Sequence, residues 1–238
     1  MERSFASLSE SNLEYFKIHI LECYLDKLPS IRRTISNLIN TFLRHGGMET
    51  WPEILDFLVK HLESDIGVEM TLETLNIIIE DSGNYLEENC AKFLNELIPK
   101  ILNFLSEMGK RTKEERSDNL TILVLNTFNI LLENCASILQ DKLNSASNIL
   151  VNLHSTDNFD MRYHLGRCWL TIIRMKREIL LDTNTDLFLF FVPNLTAEHY
   201  KMNFISAEFF LFIVEEDYDF VEKIREKIFT HFATYYLF

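Results

Sequence analysis

The sequence WPEILDFL at residues 51–58 returns as IPKILNFL at residues 98–105, so the pattern x-Pro-x-Ile-Leu-x-Phe-Leu occurs twice at an offset of 47 residues. In each copy the Ile and Leu positions fall on one face of a helix. The chain has only six Gly and four Pro among its 238 residues, which leaves too few turn residues for a β-sandwich or a β-barrel. Pattern and composition together predict an all-α protein.

The sequence before each copy predicts that the octapeptide belongs to a helical hairpin. From Pro29 onward, apolar residues follow the spacing of a helix with one buried face, and Gly46–Gly47 is expected to end that helix. Thr50 is expected to cap the next helix, with Glu53 as its reciprocal partner. In the following hairpin the first helix is expected to stop near residues 81–83, so that the octapeptide opens the second helix of both hairpins.

The same reasoning along the chain predicts a single HEAT-repeat array over residues 1–238, with about five helical hairpins. The approximate hairpins are 29–64, 66–109, 118–155, 159–193 and 199–238, preceded by 10–27 as the second helix of an incomplete repeat. One hairpin cannot bury its whole apolar side, so each is expected to stack on the next in an α-α superhelix, or solenoid. A coiled coil is the structural rival, but heptads do not persist across Gly46, Gly83 and Pro99.

The charge of the chain limits its partners. The formal net charge is −13, and no basic stripe interleaved with aromatic residues is present, so nucleic acid is not expected to bind. The most apolar run, LFLFFV from Leu187, is too short to span a bilayer, and no membrane partner is expected. An acidic surface suits a basic protein partner, although it also serves solubility alone.

No local motif for catalysis is present in the sequence. The seven histidines include no H-E-x-x-H pair, and no G-x-S-x-G elbow or phosphate-binding loop occurs. The four cysteines form no C-x-x-C pair, which argues against a zinc site. We therefore predict no catalytic residues, no cofactor and no metal, and a binding protein in preference to an enzyme.

Binding by a helical solenoid falls on the helices that line one face of its curve. If the second helix of each hairpin lines the concave side, a polar ridge is expected to bind the partner. Its candidate residues are Glu53, Asp56, Lys60, Glu63, Glu96, Asn103 and Glu107. Such carboxylates can pair with Lys or Arg of a partner, but every amphipathic helix also has a solvated face. Trp51 is either a partner hot spot or a packing residue between hairpins.

The order of several motifs indicates a family. The segment Leu8–Glu63 contains a Pro-x-Ile-Arg helix opening, an interrupted Ile/Leu face, a glycine stop and then Trp-Pro-Glu-Ile-Leu. IIEDSGNYLE from Ile78 and LIPKILNFL from Leu97 continue the series in register, and it thins beyond Arg116. In this order and spacing the chain resembles the early repeats of the importin-β (karyopherin-β) superfamily, and within it those of transportins.

The resemblance implies a nuclear transport receptor that shuttles between cytoplasm and nucleus. Such a receptor binds the GTP form of the GTPase Ran through its N-terminal repeats, and it also binds nuclear-import cargo and nucleoporins. By this alignment, Met1 falls near the second helix of the second repeat, and Phe238 precedes the cargo-binding repeats. A truncated receptor, a reduced natural form or a divergent HEAT protein would each fit.

Two further expectations concern the end of the chain and an alternative function. The apolar ending THFATYYLF is expected to favour truncation and to permit self-association through an exposed end of the solenoid. The alternative function is a HEAT-repeat scaffold of the phosphatase type, which joins two proteins and has no GTPase preference.

Overall fold

The computed structural model describes residues 9–24, 26, 28–63, 67–111, 117–193, 199–216 and 219–226. Within these ranges all regular secondary structure is helical, which confirms the predicted all-α class. The helices are α1 (Glu10–Tyr24), α2 (Pro29–Gly46), α3 (Glu53–His61), α4 (Val68–Asn89), α5 (Ala91–Lys110), α6 (Asp118–Asn134), α7 (Ala136–Leu139), α8 (Leu143–Val151), α9 (Phe159–Met175), α10 (Glu178–Phe191) and α11 (Tyr200–Glu215). Helical residues 219–226 follow. The rest of the last predicted hairpin, with its apolar ending, lies outside the described residues.

The chain divides into two compact units, Met1–Lys100 and Ile101–Phe238. In the first unit α2 and α4 pack against each other, α1 packs on α2, and α3 packs on α4. Their facing sides are apolar, and a buried hydrogen bond crosses from α1 to α4, because the Tyr24 hydroxyl donates to Thr71 Oγ1 at 3.2 Å. This hydrogen bond satisfies polar groups that would otherwise be buried without partners.

The second unit is organised around α9. Helices α6, α8, α10 and α11 all pack against α9, whose Leu165, Trp169 and Ile172 are 0% exposed. Helices α6, α9 and α11 form one row, and α8 and α10 pack together beside it. First helices therefore pack on first helices and second on second, which is the HEAT-like arrangement of an all-α repeat fold.

The two octapeptides share one burial pattern. In each copy the residue before the proline, the Ile, the Leu after it and the final Leu are buried, whereas the Phe is partly exposed. The buried pairs are Trp51 and Ile98, Ile54 and Ile101, Leu55 and Leu102, and Leu58 and Leu105. The repeated sequence therefore buries the same face of the helix in both copies.

The two copies do not, however, occupy the same place in their helices. The first copy opens α3, with Pro52 directly before the first helical residue. Helix α5 begins at Ala91, so Pro99 lies inside it, and the expectation that the octapeptide opens both helices is wrong. An interior proline costs about 3 kcal/mol. Phe93 and Leu94 precede the proline and are 5% and 0% exposed. Their burial stabilises the helix by about 1.5–3 kcal/mol each, which offsets the cost of the proline and lets the helix begin upstream of it.

The predicted helix stop at residues 81–83 coincides with a kink in α4. Ser82 has non-helical angles, with φ −136° and ψ 16°, and a second helical segment continues from the kink to Asn89. In the turn after the bend, Leu86 is 0% exposed. Its burial stabilises the last turns by about 2 kcal/mol, which exceeds the cost of about 1 kcal/mol for Gly83 within a helix.

The predicted capping box at the start of α3 does not form. Thr50 lies in a 3-10 turn, and its hydroxyl donates to the main-chain oxygen of Gly47 at 2.7 Å. No side-chain hydrogen bond caps α3, so Glu53 has no reciprocal partner there. A side-chain cap that we did not predict occurs instead at α9, where Asn158 Oδ1 accepts from the main-chain N–H of Met161 at 3.1 Å.

Candidate partner-binding surface

Helix α3 has one buried face and one polar face. Ile54 and Leu58 are 0% exposed, whereas Glu53, Asp56 and Lys60 are exposed on the opposite side. The two carboxylates lie in the first turn and the lysine in the last. This arrangement complements the helix dipole, so these residues have a structural role as well as being available to a partner.

The remaining candidates in the first unit are exposed, and Lys100 reduces the net negative charge of the predicted ridge. Glu63 and Glu96 are exposed, and the Glu63 carboxylate pairs with the ammonium group of Lys100. With Lys60, two ammonium groups accompany the four carboxylates. Exposed ion pairs contribute only about 0–1 kcal/mol, so a partner's Lys or Arg could replace Lys100 at little cost.

Asn103 and Glu107 belong to the second unit, and both are exposed on α5. The Glu107 carboxylate accepts a hydrogen bond from Lys110 Nζ at 2.7 Å. This hydrogen bond and the charge of Lys110 lower the pKa of Glu107. The carboxylate is therefore already paired within its own helix.

Trp51 is a packing residue. It is 2% exposed, and its ring meets Phe42 of α2 edge-on, with 5.3 Å between ring centroids. A side chain so deeply buried is not on the surface where a partner hot spot must lie. Of the two readings of this residue, the structure supports packing between α2 and the turn before α3.

The second unit has a groove that sequence reasoning missed. Its volume is about 410 Å³, and its residues come from α6, α9 and α11. The lining residues are Glu133, Tyr163, Arg167, Leu170, Thr171, Arg174, Phe204, Ile205 and Glu208. Arg167 and Arg174 of α9 pair with a glutamate of α6 and a glutamate of α11, and α11 also contributes an aromatic ring.

Hydrogen bonds and ion pairs hold the charged groups of this groove in place. The Glu133 carboxylate accepts from Arg167 at 3.0 Å and from Asn129 Nδ2 at 2.7 Å. Arg174 and Glu208 are 3.6 Å apart. These contacts fix the positions of the charged groups that line the groove.

Within the described ranges, no group of three or more His, Cys, Asp or Glu side chains could hold a metal ion. In the same ranges no single helix is long and apolar enough to cross a membrane. Helix α6 together with Ala136–Val151 meets the length and composition requirement, but the two segments bend by 112°.

Comparison with known proteins shows that part of this chain is similar to transportins. No family model matches the chain. Transportin of Dictyostelium discoideum is 31% identical over 107 residues, which are 44% of this chain and 12% of that protein. Transportin-1 of Homo sapiens is 29% identical over 112 residues, 46% of this chain and 12% of that protein. Importin subunit beta-2 of Schizosaccharomyces pombe is 30% identical over 95 residues, 38% of this chain and 10% of that protein.

The matched part of the chain is related to transportins of the importin-β family. This relationship agrees with the resemblance stated from the motifs. The aligned region covers only about an eighth of the length of the relatives, 12% in the transportins.

The groove escaped sequence reasoning because its residues are spread from position 133 to position 208. One signal was present in the sequence. Tyr163, Arg167, Thr171 and Arg174 recur at i, i+4, i+8 and i+11 on one side of α9, which is the spacing of a helix face. Their neighbours on α6 and α11 could not be assigned without the fold.

Proposed function

We propose that this chain forms part of a nuclear transport receptor that binds the GTP form of Ran. In this role it takes part in nuclear protein import, shuttles between cytoplasm and nucleus, and contacts cargo or nucleoporins. The observation that supports the proposal is the 29–31% sequence identity to transportins over 44–46% of this chain. A protein made of packed helix pairs, with no catalytic motif in its sequence, suits a receptor that works by binding.

The exposed ridge of the first unit is the surface we assign to the partner. Glu53 and Asp56 point away from the buried face of α3, so their carboxylates are available without unfolding. Complementary charge of this kind acts mainly on the association rate and on specificity. We therefore expect binding to weaken steeply as salt rises, because exposed charges are screened within about 10 Å at 0.1 M salt.

Calorimetric titration of the full chain with Ran tests this proposal. Ran loaded with a non-hydrolysable GTP analogue is expected to bind at least tenfold more tightly than Ran loaded with GDP. Equal affinity for the two forms would contradict the proposal and favour the scaffold function. Absence of binding to either form would contradict the Ran assignment.

Charge reversal on α3 tests whether its exposed ridge binds the partner. The double variant Glu53→Lys with Asp56→Lys is expected to lower the association rate at least threefold. Glu73→Lys with Glu80→Lys is the matched control, because both residues are exposed on α4 of the same unit and the charge change is identical. An equal loss in both variants would show a general charge effect and refute a role for the α3 ridge.

A further inference from the structure

Helix α11 differs from the other long helices in what it exposes. Its outward face is mainly apolar, although Glu215 at its end is also exposed. The exposed fractions are 74% for Tyr200, 62% for Phe204, 56% for Leu211 and 76% for Val214, and Ala207 between them is also exposed. By contrast, the exposed acidic positions of α4 include Glu69, Glu73 and Glu80. No described residue buries the α11 face.

The spacing of the exposed apolar residues indicates that the face packs against another helix. Tyr200, Phe204, Ala207, Leu211 and Val214 are separated by 4, 3, 4 and 3 positions. This alternation is the a/d spacing of a coiled-coil seam, in which side chains of one helix fit between those of another. The opposite side of α11 is occupied by the core of the unit, where Met202 and Phe209 are 0% exposed.

We infer that this seam, Tyr200–Val214, pairs with the same seam of a second copy of the chain, with the two helices antiparallel. The inference goes beyond the proposed function and does not depend on it. In an antiparallel pair, a positions face d positions. Tyr200 then faces Leu211 of the second copy and Phe204 faces its Ala207, so each aromatic ring lies against a smaller side chain, and Val214 lies beyond the paired positions. Small residues opposite large ones allow the close packing that a seam needs.

Charges beside the seam favour the antiparallel arrangement. Lys201 flanks the seam near the start of α11, and Glu208 flanks it one heptad later on the same side. Antiparallel pairing places Lys201 next to Glu208 of the second copy, twice by symmetry. Within their own chain the two charges form long ion pairs, 3.8 Å to Asp160 and 3.6 Å to Arg174, and Lys201 Nζ also lies 5.5 Å from the ring centroid of Tyr163. Contacts of this length leave both charges able to pair with a second copy as well.

The area of the seam determines how strongly the two copies are expected to associate. An aromatic side chain buries about 150–250 Å², so the seam exposes on the order of 500 Å² per copy. Two seams would bury about 1,000 Å², which is the lower limit for a specific interface. We therefore expect a weak dimer, with a dissociation constant on the order of micromolar.

Analytical ultracentrifugation of the full chain over about 1–200 μM tests the inference. We expect a monomer–dimer equilibrium. Leu211→Glu is expected to weaken it at least thirtyfold, because two carboxylates would enter an apolar seam. Leu38→Glu is the matched control, since Leu38 is an exposed leucine on α2, 38% accessible, and this variant should dimerise like the parent.

Three further tests can refute the inference. Circular dichroism must show equal helix content in both variants, and Ala207→Glu provides a second seam variant that removes no buried side chain. Lys201→Glu tests the orientation and is expected to weaken the dimer several-fold at low salt. A chain that stays monomeric at 200 μM, or a dimer that survives Leu211→Glu and Ala207→Glu, would overturn the seam. No effect of Lys201→Glu would overturn the antiparallel arrangement.

Discussion

Acid should destabilise the second unit in part through His154, a partly buried histidine. Its Nε2 accepts a hydrogen bond from Trp169 Nε1 at 2.8 Å, and its ring stacks on Phe190. Burial, with the nearby charge of Arg162, lowers the pKa of His154 from 6.5 to about 4. A protonated Nε2 could not accept the Trp169 hydrogen bond, so the fold requires the neutral ring.

The sign and size of the effect follow from this pKa difference. The folded state binds a proton only near pH 4, whereas the unfolded chain binds one near pH 6.5. The stabilisation is therefore complete above pH 6.5 and is lost as the pH falls toward 4. One pKa unit corresponds to about 1.4 kcal/mol, so His154 is expected to lower the free energy of unfolding by about 2 kcal/mol between pH 7 and pH 4.5.

Urea denaturation of the parent chain and of His154→Gln, each at pH 7.0 and pH 4.5, measures this contribution. Glutamine keeps a hydrogen-bond acceptor for Trp169 but does not titrate. The variant is expected to lose about 2 kcal/mol less than the parent on acidification. His45→Gln, which changes an exposed histidine on α2, should behave like the parent. The reasoning is refuted if His154→Gln shows the same pH dependence as the parent.

Four further substitutions test the helix ends, each by the midpoint and slope of urea denaturation. Pro99→Ala is expected to stabilise the chain by about 1–3 kcal/mol, because it restores a main-chain hydrogen bond inside α5; a loss of stability would contradict the helical placement of Pro99. Asn158→Ala should cost about 1 kcal/mol through the lost cap of α9, whereas Thr50→Ala should cost less, since Thr50 caps no α-helix; equal losses would argue against this distinction. Gly47→Ala is expected to cost about 1–2 kcal/mol, because φ is 80° there and a side chain disfavours that region; an unchanged midpoint would contradict this.

The sequence indicated less about the partner surface than about the fold. The polar face of α3 could be expected from the apolar spacing of Ile54 and Leu58, because side chains on opposite sides of one helix have opposite environments. The Glu63–Lys100 ion pair could not be expected, since its two residues are 37 positions apart. The same holds for the groove, whose arginines on α9 face carboxylates contributed by α6 and α11.

The sequence by itself determined the helical class and the buried face of each octapeptide. Both depend on the 3.6-residue period of a helix, which is a local property of the chain. The sequence also indicated the end of α2 at Gly46–Gly47, whereas the tertiary structure decided how far α4 and α5 extend and which side chains meet. Phe93 and Leu94 extend α5 past Pro99, and Leu86 carries α4 past its bend at Ser82. Helix ends depend on burial against residues distant in sequence, because that burial outweighs the local cost of a proline or a glycine.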